Sequence, residues 1–347
     1  MQDAIKSVLD ERCGSRFLHG FIDSKADYDP GLWRLLRELG TPGISIPERF
    51  GGLGLGVVDL ALAAEMLGYA AAPVPLHAHW LAAFAIVEAG DNAQHARWLP
   101  ELAGGERLAT VALCEPNSRW MPESWQMEAG RTLNGSKLFV PSPGSADLIV
   151  VGLRGGALGV VDARAPGVKV EPLAGIDRTR PMGNVHFSDA KVELLAAPSG
   201  TAARTVNAGL AILAGDAFGG ASRCLEMAVE YSKLREQFGR KIASFQALRH
   251  QLANLALEVE PCRGLYWFGA YAQDQVPERA AHAASLAKAH VGTRFFEAAR
   301  NTIEYHGGVG YTWDFDCHIW LKRAMYDQAW LGGADLHYLR AADGAGW

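Results

Sequence analysis

The chain is expected to fold in three parts: an α-helical N-terminal domain (residues 1–108), a middle β-domain (109–195) and a helical C-terminal domain (196–347). Three observations predict this order. Leu32, Leu35, Leu36 and Leu39 recur at helical spacing early in the chain. Short β-rich runs separated by Gly and Pro fill the middle. Alanine- and leucine-rich helical patterns then return and continue almost to the end. By composition and pattern alone this is a mixed α and β protein.

Within the first part, Gly40 stops the first leucine-bearing helix before Pro42, and a second helix is expected after Asp59. Between them Ile46-Pro47-Glu48-Arg49-Phe50-Gly51-Gly52-Leu53-Gly54 reads as a loop from its Pro and Gly content. Leu148-Ile149-Val150-Val151, Leu158-Gly159-Val160-Val161, Val168-Lys169-Val170 and Val185-His186-Phe187 read as strands of a small barrel or sandwich. Ala196-Ala197-Pro198-Ser199-Gly200 reads as a linker. Beyond it Phe245, Leu248, Leu252, Leu255 and Val259 make a continuous apolar stripe on one helix, which Pro261 should kink or end.

Composition excludes several function classes. With 347 residues, 49% of them hydrophobic, the chain can bury substantial cores. A net charge of -5 without a basic segment leaves nucleic acid no electrostatic footprint. The longest apolar stretch, around Trp80 to Val87, is stopped by Glu88 and falls short of the roughly 20 residues that span a membrane. The N-terminus shows no signal pattern, so a cytoplasmic protein is expected. Cys13, Cys114, Cys224, Cys262 and Cys317 have no paired short spacing, which argues against a disulfide framework or a zinc site. His77-Ala78-His79 has no nearby Cys or carboxylate to complete a metal site, and no metal is expected there.

Two motifs carry a family resemblance. Arg235-Glu236-Gln237-Phe238-Gly239-Arg240-Lys241-Ile242-Ala243-Ser244-Phe245-Gln246 is followed by His306-Gly307-Gly308-Val309-Gly310 and then by Gly332-Gly333. In this order they resemble the C-terminal half of an acyl-CoA dehydrogenase. The Ile46–Gly54 loop is similar to that family's Pro-Glu-x-x-Gly-Gly-x-Gly loop, so the resemblance covers nearly the whole chain. It implies a helical N-terminal domain, a middle β-barrel or sandwich, and a C-terminal four-helix-bundle domain.

The resemblance also implies the ADP-binding half of an FAD site. Arg235 and Gln237 match positions at the diphosphate, where a guanidinium fork suits a bidentate anion. Phe238, Ile242 and Phe245 match the adenine packing, and Gln246 the Gln of the family motif. Gly307 and Gly308 allow close backbone approach. Glu304 departs from a usual Gln and puts the contact there in doubt.

The reaction face departs further. Where the family has Thr-Glu-Pro and then small residues, this chain has Cys114-Glu115-Pro116-Asn117-Ser118-Arg119-Trp120-Met121, so Trp120 and Met121 are expected to fill space that glycines leave open. In Leu133-Asn134-Gly135-Ser136-Lys137-Leu138-Phe139-Val140-Pro141-Ser142, Phe139 stands for a Trp near the flavin. Pro141 replaces a Thr, losing both hydroxyl and N–H. α,β-Dehydrogenation needs a carboxylate at the substrate α-proton, and Gly332 and Gly209 occupy the two positions at which the family carries that Glu. Asp335 and Asp216 lie nearby, but one helical turn displaces a base by about 5 Å.

Departures cluster at the reaction centre and retentions at the ADP end. The chain therefore resembles the non-catalytic subunit of heterotetrameric acyl-CoA dehydrogenases of actinobacterial steroid catabolism. The expected assembly is α2β2, sharing FAD with a related catalytic subunit that binds most of the acyl-CoA. Two alternatives stand beside it: a self-sufficient dehydrogenase or flavin monooxygenase with a different catalytic arrangement, and a non-enzymatic scaffold that binds CoA thioesters.

Overall fold

The computed structural model describes residues 1–128, 130–196 and 200–345, so residues 197–199 of the expected linker lie outside the described part. The first part is helical: α1 (Gln2–Arg12), α2 (Ser15–Ser24), α3 (Pro30–Glu38), α4 (Val57–Tyr69), α5 (Leu76–Ala89) and α6 (Asn92–Ala103). Asp29 caps α3 by accepting from the Leu32 N–H at 2.7 Å, with Pro30 at the first helical position. Gly40, left-handed at φ 72°, follows its end. α4 begins two residues before Asp59, because the Asp59 carboxylate reaches back to the Gly56 N–H at 3.2 Å as a first-turn cap. The apolar stretch of α5 is buried on all sides from Leu76 to Ile86, as an internal helix requires.

The middle part holds β1 (Ala109–Ala112), β2 (Thr132–Pro141), β3 (Leu148–Leu153), β4 (Ala157–Asp162), β5 (Val168–Pro172), β6 (Met182–Lys191) and β7 (Glu193–Leu194). They form two sheets, in the orders β1-β3-β4-β7 and β2-β6-β5. Alternate residues of both sheets meet in one core, with Ala112, Ile149, Val151 and Val161 from the first and Leu133, Val140, Val185 and Phe187 from the second.

The last part contains α7 (Thr201–Leu234), a hairpin of β8 (Glu236–Gln237) and β9 (Arg240–Lys241), then α8 (Gln246–Val259), α9 (Cys262–Gln275), α10 (Pro277–His306), α11 (Cys317–Ala329) and α12 (Ala334–Ala345). Pro261 separates α8 from α9. The four-helix bundle is thus extended by α11 and α12, which pack on α10. α4 crosses α7 with backbones nearly touching: a Cβ on Gly68 would sit 1.9 Å from the Asp216 carbonyl oxygen, and one on Gly219 1.9 Å from that of Glu65. Along α8 only Leu255 and Val259 of the apolar stripe are buried.

One buried ionic node joins the three parts. Arg323 of α11 donates from Nε to Asp177 Oδ2 at 2.8 Å and from Nη2 to the Thr179 hydroxyl, and its Nη1 lies 3.3 Å from Asp216 Oδ2 of α7. Arg180 donates to Asp216 Oδ1 at 3.1 Å, to His77 Nδ1 of α5 at 2.9 Å, and to the carbonyls of Ala72 and Val74. All these side chains are buried. Burial alone would raise the Asp216 pKa, but the flanking guanidiniums, Arg323 foremost, hold it far below the usual carboxylate range. Asp327 is the exception: burial, and then the charge of Asp216, push its carboxyl well up.

Arg323→Ala should cost roughly 3–5 kcal/mol in chemical denaturation, because it leaves buried carboxylates uncompensated. Asp216 contributes stability that is present above about pH 4 and lost as pH falls below it. Asp327 has the opposite sign. Burial favours the protonated form of its carboxyl in the folded state, so it favours unfolding as pH rises above about 4. Asp327→Asn should therefore raise the melting temperature at pH 7.5, by an increment that shrinks as the pH is lowered to 4.

Candidate cofactor cradle and reaction face

The Arg235 motif forms a bare hairpin. Arg235 ends α7 in extended conformation, its N–H donating to the Tyr231 carbonyl at 2.8 Å, while Ile242 N–H closes the hairpin onto the Arg235 carbonyl at 2.9 Å. Phe238 and Gly239 turn the hairpin with φ 54° and 72°, the positive angles of a tight two-residue turn. Phe238 is 90% exposed. Among the described residues the Arg235 side chain has no ion-pair or hydrogen-bond partner. Gln237 is exposed and donates to the carbonyl of Glu236, Ile242 and Phe245 are half-buried, and Gln246 opens α8 on the surface.

The glycine turn lies at the end of α10. Gly307, with φ 67°, ends that helix, and a Cβ on either Gly307 or Gly308 would meet nothing within 4 Å. Glu304 is exposed one turn earlier. Hairpin and glycine turn are brought together by Tyr231, which stacks on His306 with ring centroids 4.2 Å apart. The ends of α7 and α10 that carry the two motifs are thus adjacent, and they leave a free cation and bare backbone. That combination fits a dinucleotide diphosphate.

The reaction face is a cavity of about 360 Å³ between the β-domain and α11. Trp120 stacks on Phe139 on one wall (6.1 Å, 23°) and Tyr326 on Trp330 on another (6.0 Å, 22°). The space is therefore not filled: Trp120 lines it, whereas Met121 is buried in the core. Asn117, Ser118, Phe139 and Ser142 around it have positive φ (66°, 55°, 52° and 43°), backbone strain of the kind that collects at binding sites.

Among the described residues, the carboxylates around the cavity are committed elsewhere. Glu115 accepts from Lys137 at 2.8 Å and from the N–H groups of Gln126 and Met127. Burial opposes its ionisation, yet these donors hold its pKa below the usual value. Asp216 is committed to the ionic node, and Asp335 is exposed on α12. Pro141 offers only its carbonyl, which already accepts from the Thr110 hydroxyl at 2.6 Å.

The two positions that the resemblance assigns to the base do not face each other. A Cβ at Gly332, whose φ is 104°, would point at Leu336 (2.6 Å) and His337 (3.2 Å). A Cβ at Gly209 would meet Leu331 Cδ1 at 2.8 Å and Leu81 Cδ2 at 3.0 Å. The side chain opposite position 209 is thus that of Leu331, left-handed at φ 61°. Lys288 fixes this loop by donating to the carbonyls of Asp327, Gln328 and Gly332, and His337 by bonding the Leu331 carbonyl at 2.9 Å. Burial lowers the Lys288 pKa to about 8.

The remaining reactive types are committed to structure. His77 belongs to the ionic node, and His79 bonds the Leu102 carbonyl and takes the Ala109 N–H. Burial lowers both to a pKa of about 4. The five cysteines are free thiols, and burial pushes Cys13, Cys114 and Cys317 up to about 12 and Cys262 to about 11.

Comparison with known proteins places this geometry in a family. Residues 1–106 match the acyl-CoA dehydrogenase N-terminal domain and residues 200–345 the acyl-CoA dehydrogenase C-terminal domain. The chain is 30% identical over 338 residues to acyl-CoA dehydrogenase IpdE2 of Mycolicibacterium smegmatis, covering 96% of this chain and 93% of the relative. Among solved structures it resembles the Tcur3481-Tcur3483 steroid ACAD G363A variant, with a TM-score of 0.91, 31% identity, and coverage of 99% of this chain and 96% of that one. It also resembles the ChsE4-ChsE5 complex from Mycobacterium tuberculosis, with a TM-score of 0.90, 27% identity and coverage of 99% and 96%. The chain belongs to the acyl-CoA dehydrogenase family, whose members use FAD. No described helix is long and apolar enough to cross a membrane.

Gly332→Glu should not create dehydrogenase activity. Its carboxylate is directed at Leu336, and its backbone demands a positive φ, so the expected outcome in thermal denaturation is a loss of roughly 1–3 kcal/mol with no turnover of acyl-CoA esters.

Proposed function

We propose that the chain is the non-catalytic subunit of a FAD-dependent acyl-CoA dehydrogenase, which contributes the ADP-binding half of a cofactor site to a related catalytic subunit. The observation that carries this reading is the contrast between its two sites. The two positions for the base hold Gly209 and Gly332, with no carboxylate among the described residues free to replace them, while the cradle of Arg235, Phe238, Gly307 and Gly308 stands bare. Phe238, 90% exposed, leaves apolar surface in water, and the Arg235 guanidinium and glycine backbone are solvated and free to meet an anion. The two-component steroid ACAD and the ChsE4-ChsE5 complex among the similar structures support a heteromeric assembly. They also support a bulky, steroid-derived acyl-CoA as its substrate.

In that assembly bound FAD supplies the hydride acceptor, and the partner supplies the base. This chain's residues bind and orient. Arg235 would hold the diphosphate through charge-assisted hydrogen bonds, with Gln237 and the Gly307–Gly308 backbone beside it, Phe238, Ile242 and Phe245 would pack the adenine, and Gln246 would serve as the Gln of the motif. The exposed carboxylate of Glu304 would weaken rather than strengthen anion binding. The open cavity favours a second reading, in which this chain also holds a flavin ring and acts alone as a dehydrogenase or monooxygenase. Flavin absorbance of the chain purified alone separates the two, since the first reading requires it to be flavin-poor and inactive until the related chain is added.

A charge-assisted contact of the Arg235 type is worth roughly 1.5–3 kcal/mol, which corresponds to about 10- to 100-fold in affinity. Arg235→Ala should lower the flavin content of the assembled complex, and excess FAD should restore most of the rate. Unchanged occupancy at dilute FAD would sink the reading.

A further inference from the structure

We propose that Tyr231, His306 and Phe315 form an aromatic clamp that positions the two halves of the cradle against each other. The inference rests on the cofactor reading above and assigns positioning residues to it. Tyr231 lies one helical turn before Arg235, and the Arg235 N–H is bonded to its carbonyl at 2.8 Å. His306 directly precedes Gly307. Their rings stack at 4.2 Å and 21°, which is the direct side-chain link between the α7 end that carries Arg235 and the α10 end that carries the glycines. Phe315 closes the clamp with its ring edge-on to both, at 5.3 Å from Tyr231 and 5.4 Å from His306.

Each ring is held from behind. His306 donates from Nδ1 to the Thr302 carbonyl at 2.7 Å, and the Thr302 hydroxyl donates to the Cys224 carbonyl of α7 at 2.9 Å. The residue after Phe315, Asp316, accepts from His19 Nε2 at 2.7 Å and from the Ser15 hydroxyl at 3.1 Å, so α2 of the N-terminal part anchors the third ring. Tyr231 and Phe315 are half-buried and lie outside the hydrophobic cores, while His306 is buried beneath them. Removing one ring should therefore loosen the cradle without collapsing the domain. A bidentate anion contact needs its donors held to within about 0.5 Å, and a hairpin on one helix end and a glycine turn on another have that precision only if the ends are locked.

The test uses the complex assembled with the related catalytic chain, stripped of flavin and titrated with FAD while flavin fluorescence is followed. Tyr231→Phe keeps the ring and should bind within about 2-fold of the native complex, whereas Tyr231→Leu should bind about 3- to 10-fold more weakly. The double variant Tyr231→Leu/Arg235→Ala should lose less than the product of the two single losses, because a misplaced guanidinium has less to lose. Phe315→Leu provides the same comparison if Tyr231→Leu does not assemble. Native affinity in the assembled leucine variants, or fully multiplicative losses in the double variant, would overturn the clamp while leaving the cradle intact. Native affinity in Arg235→Ala alone would instead overturn the cradle reading and the clamp with it.

Discussion

Everything near the reaction face depends on the Arg323 node. Its guanidinium is fully buried and meets Asp177 from the loop before β6, Asp216 from the middle of α7, and Thr179. Desolvating such charges is expensive, and mutual attraction repays it only with good geometry and every donor used. The second guanidinium, Arg180, meets that condition by binding two backbone carbonyls and His77 of α5 as well as Asp216. With Asp327 protonated, two guanidiniums balance two carboxylates. Helical N-terminal part, β-domain and C-terminal helices are thereby fixed at one point, and α11 is fixed in rotation. Once Arg323 and Asp327 face the node, Tyr326 and Trp330 face the cavity.

The cavity's persistence separates scaffold from chemistry. Its aromatic walls and left-handed backbone remain, yet Pro141 carries no hydroxyl and Gly209 and Gly332 no carboxylate. Holding Leu331 at φ 61° is itself unfavourable for a γ-branched residue. The loop keeps that shape because Lys288 and His337 bind its carbonyls, contacts that do not depend on which side chain Leu331's position carries. A loop so fastened keeps its fold whichever side chain stands at position 331.

Much of the fold was legible in the sequence because its signals are local. Gly40, Pro261, the leucine spacing of α3 and the valine runs of β3 and β4 each act within a few residues. Long-range relations were not legible. Asp177, Asp216 and Arg323 are far apart in sequence and look like ordinary surface charges until the topology brings them together. That a Cβ at Gly332 points at Leu336 rather than toward position 209 is not visible in a glycine pair. Which residue faces position 209 is decided by two consecutive positive φ angles that no periodicity reveals. Trp120 looked like a space-filler for a related reason: its size is visible in the sequence, but its stacking on Phe139, which turns it from plug into wall, is not.

The α8 stripe carries the argument about assembly one step further. Five apolar residues at helical spacing would all be buried if this chain's own bundle were their partner, but Leu255 and Val259 alone are, and Leu257 on the adjoining face is 72% exposed. Trp267, Phe268 and Tyr271 continue the apolar surface along α9. Exposed apolar residues at this density are atypical of monomers and typical of interaction surfaces. They lie on the helices that follow the Arg235 hairpin, so a chain that covers them also approaches the cradle. On the proposed reading, burial of the α8–α9 surface and completion of the cofactor site would be two consequences of one association, and the site's ligand and the subunit interface would stabilise each other.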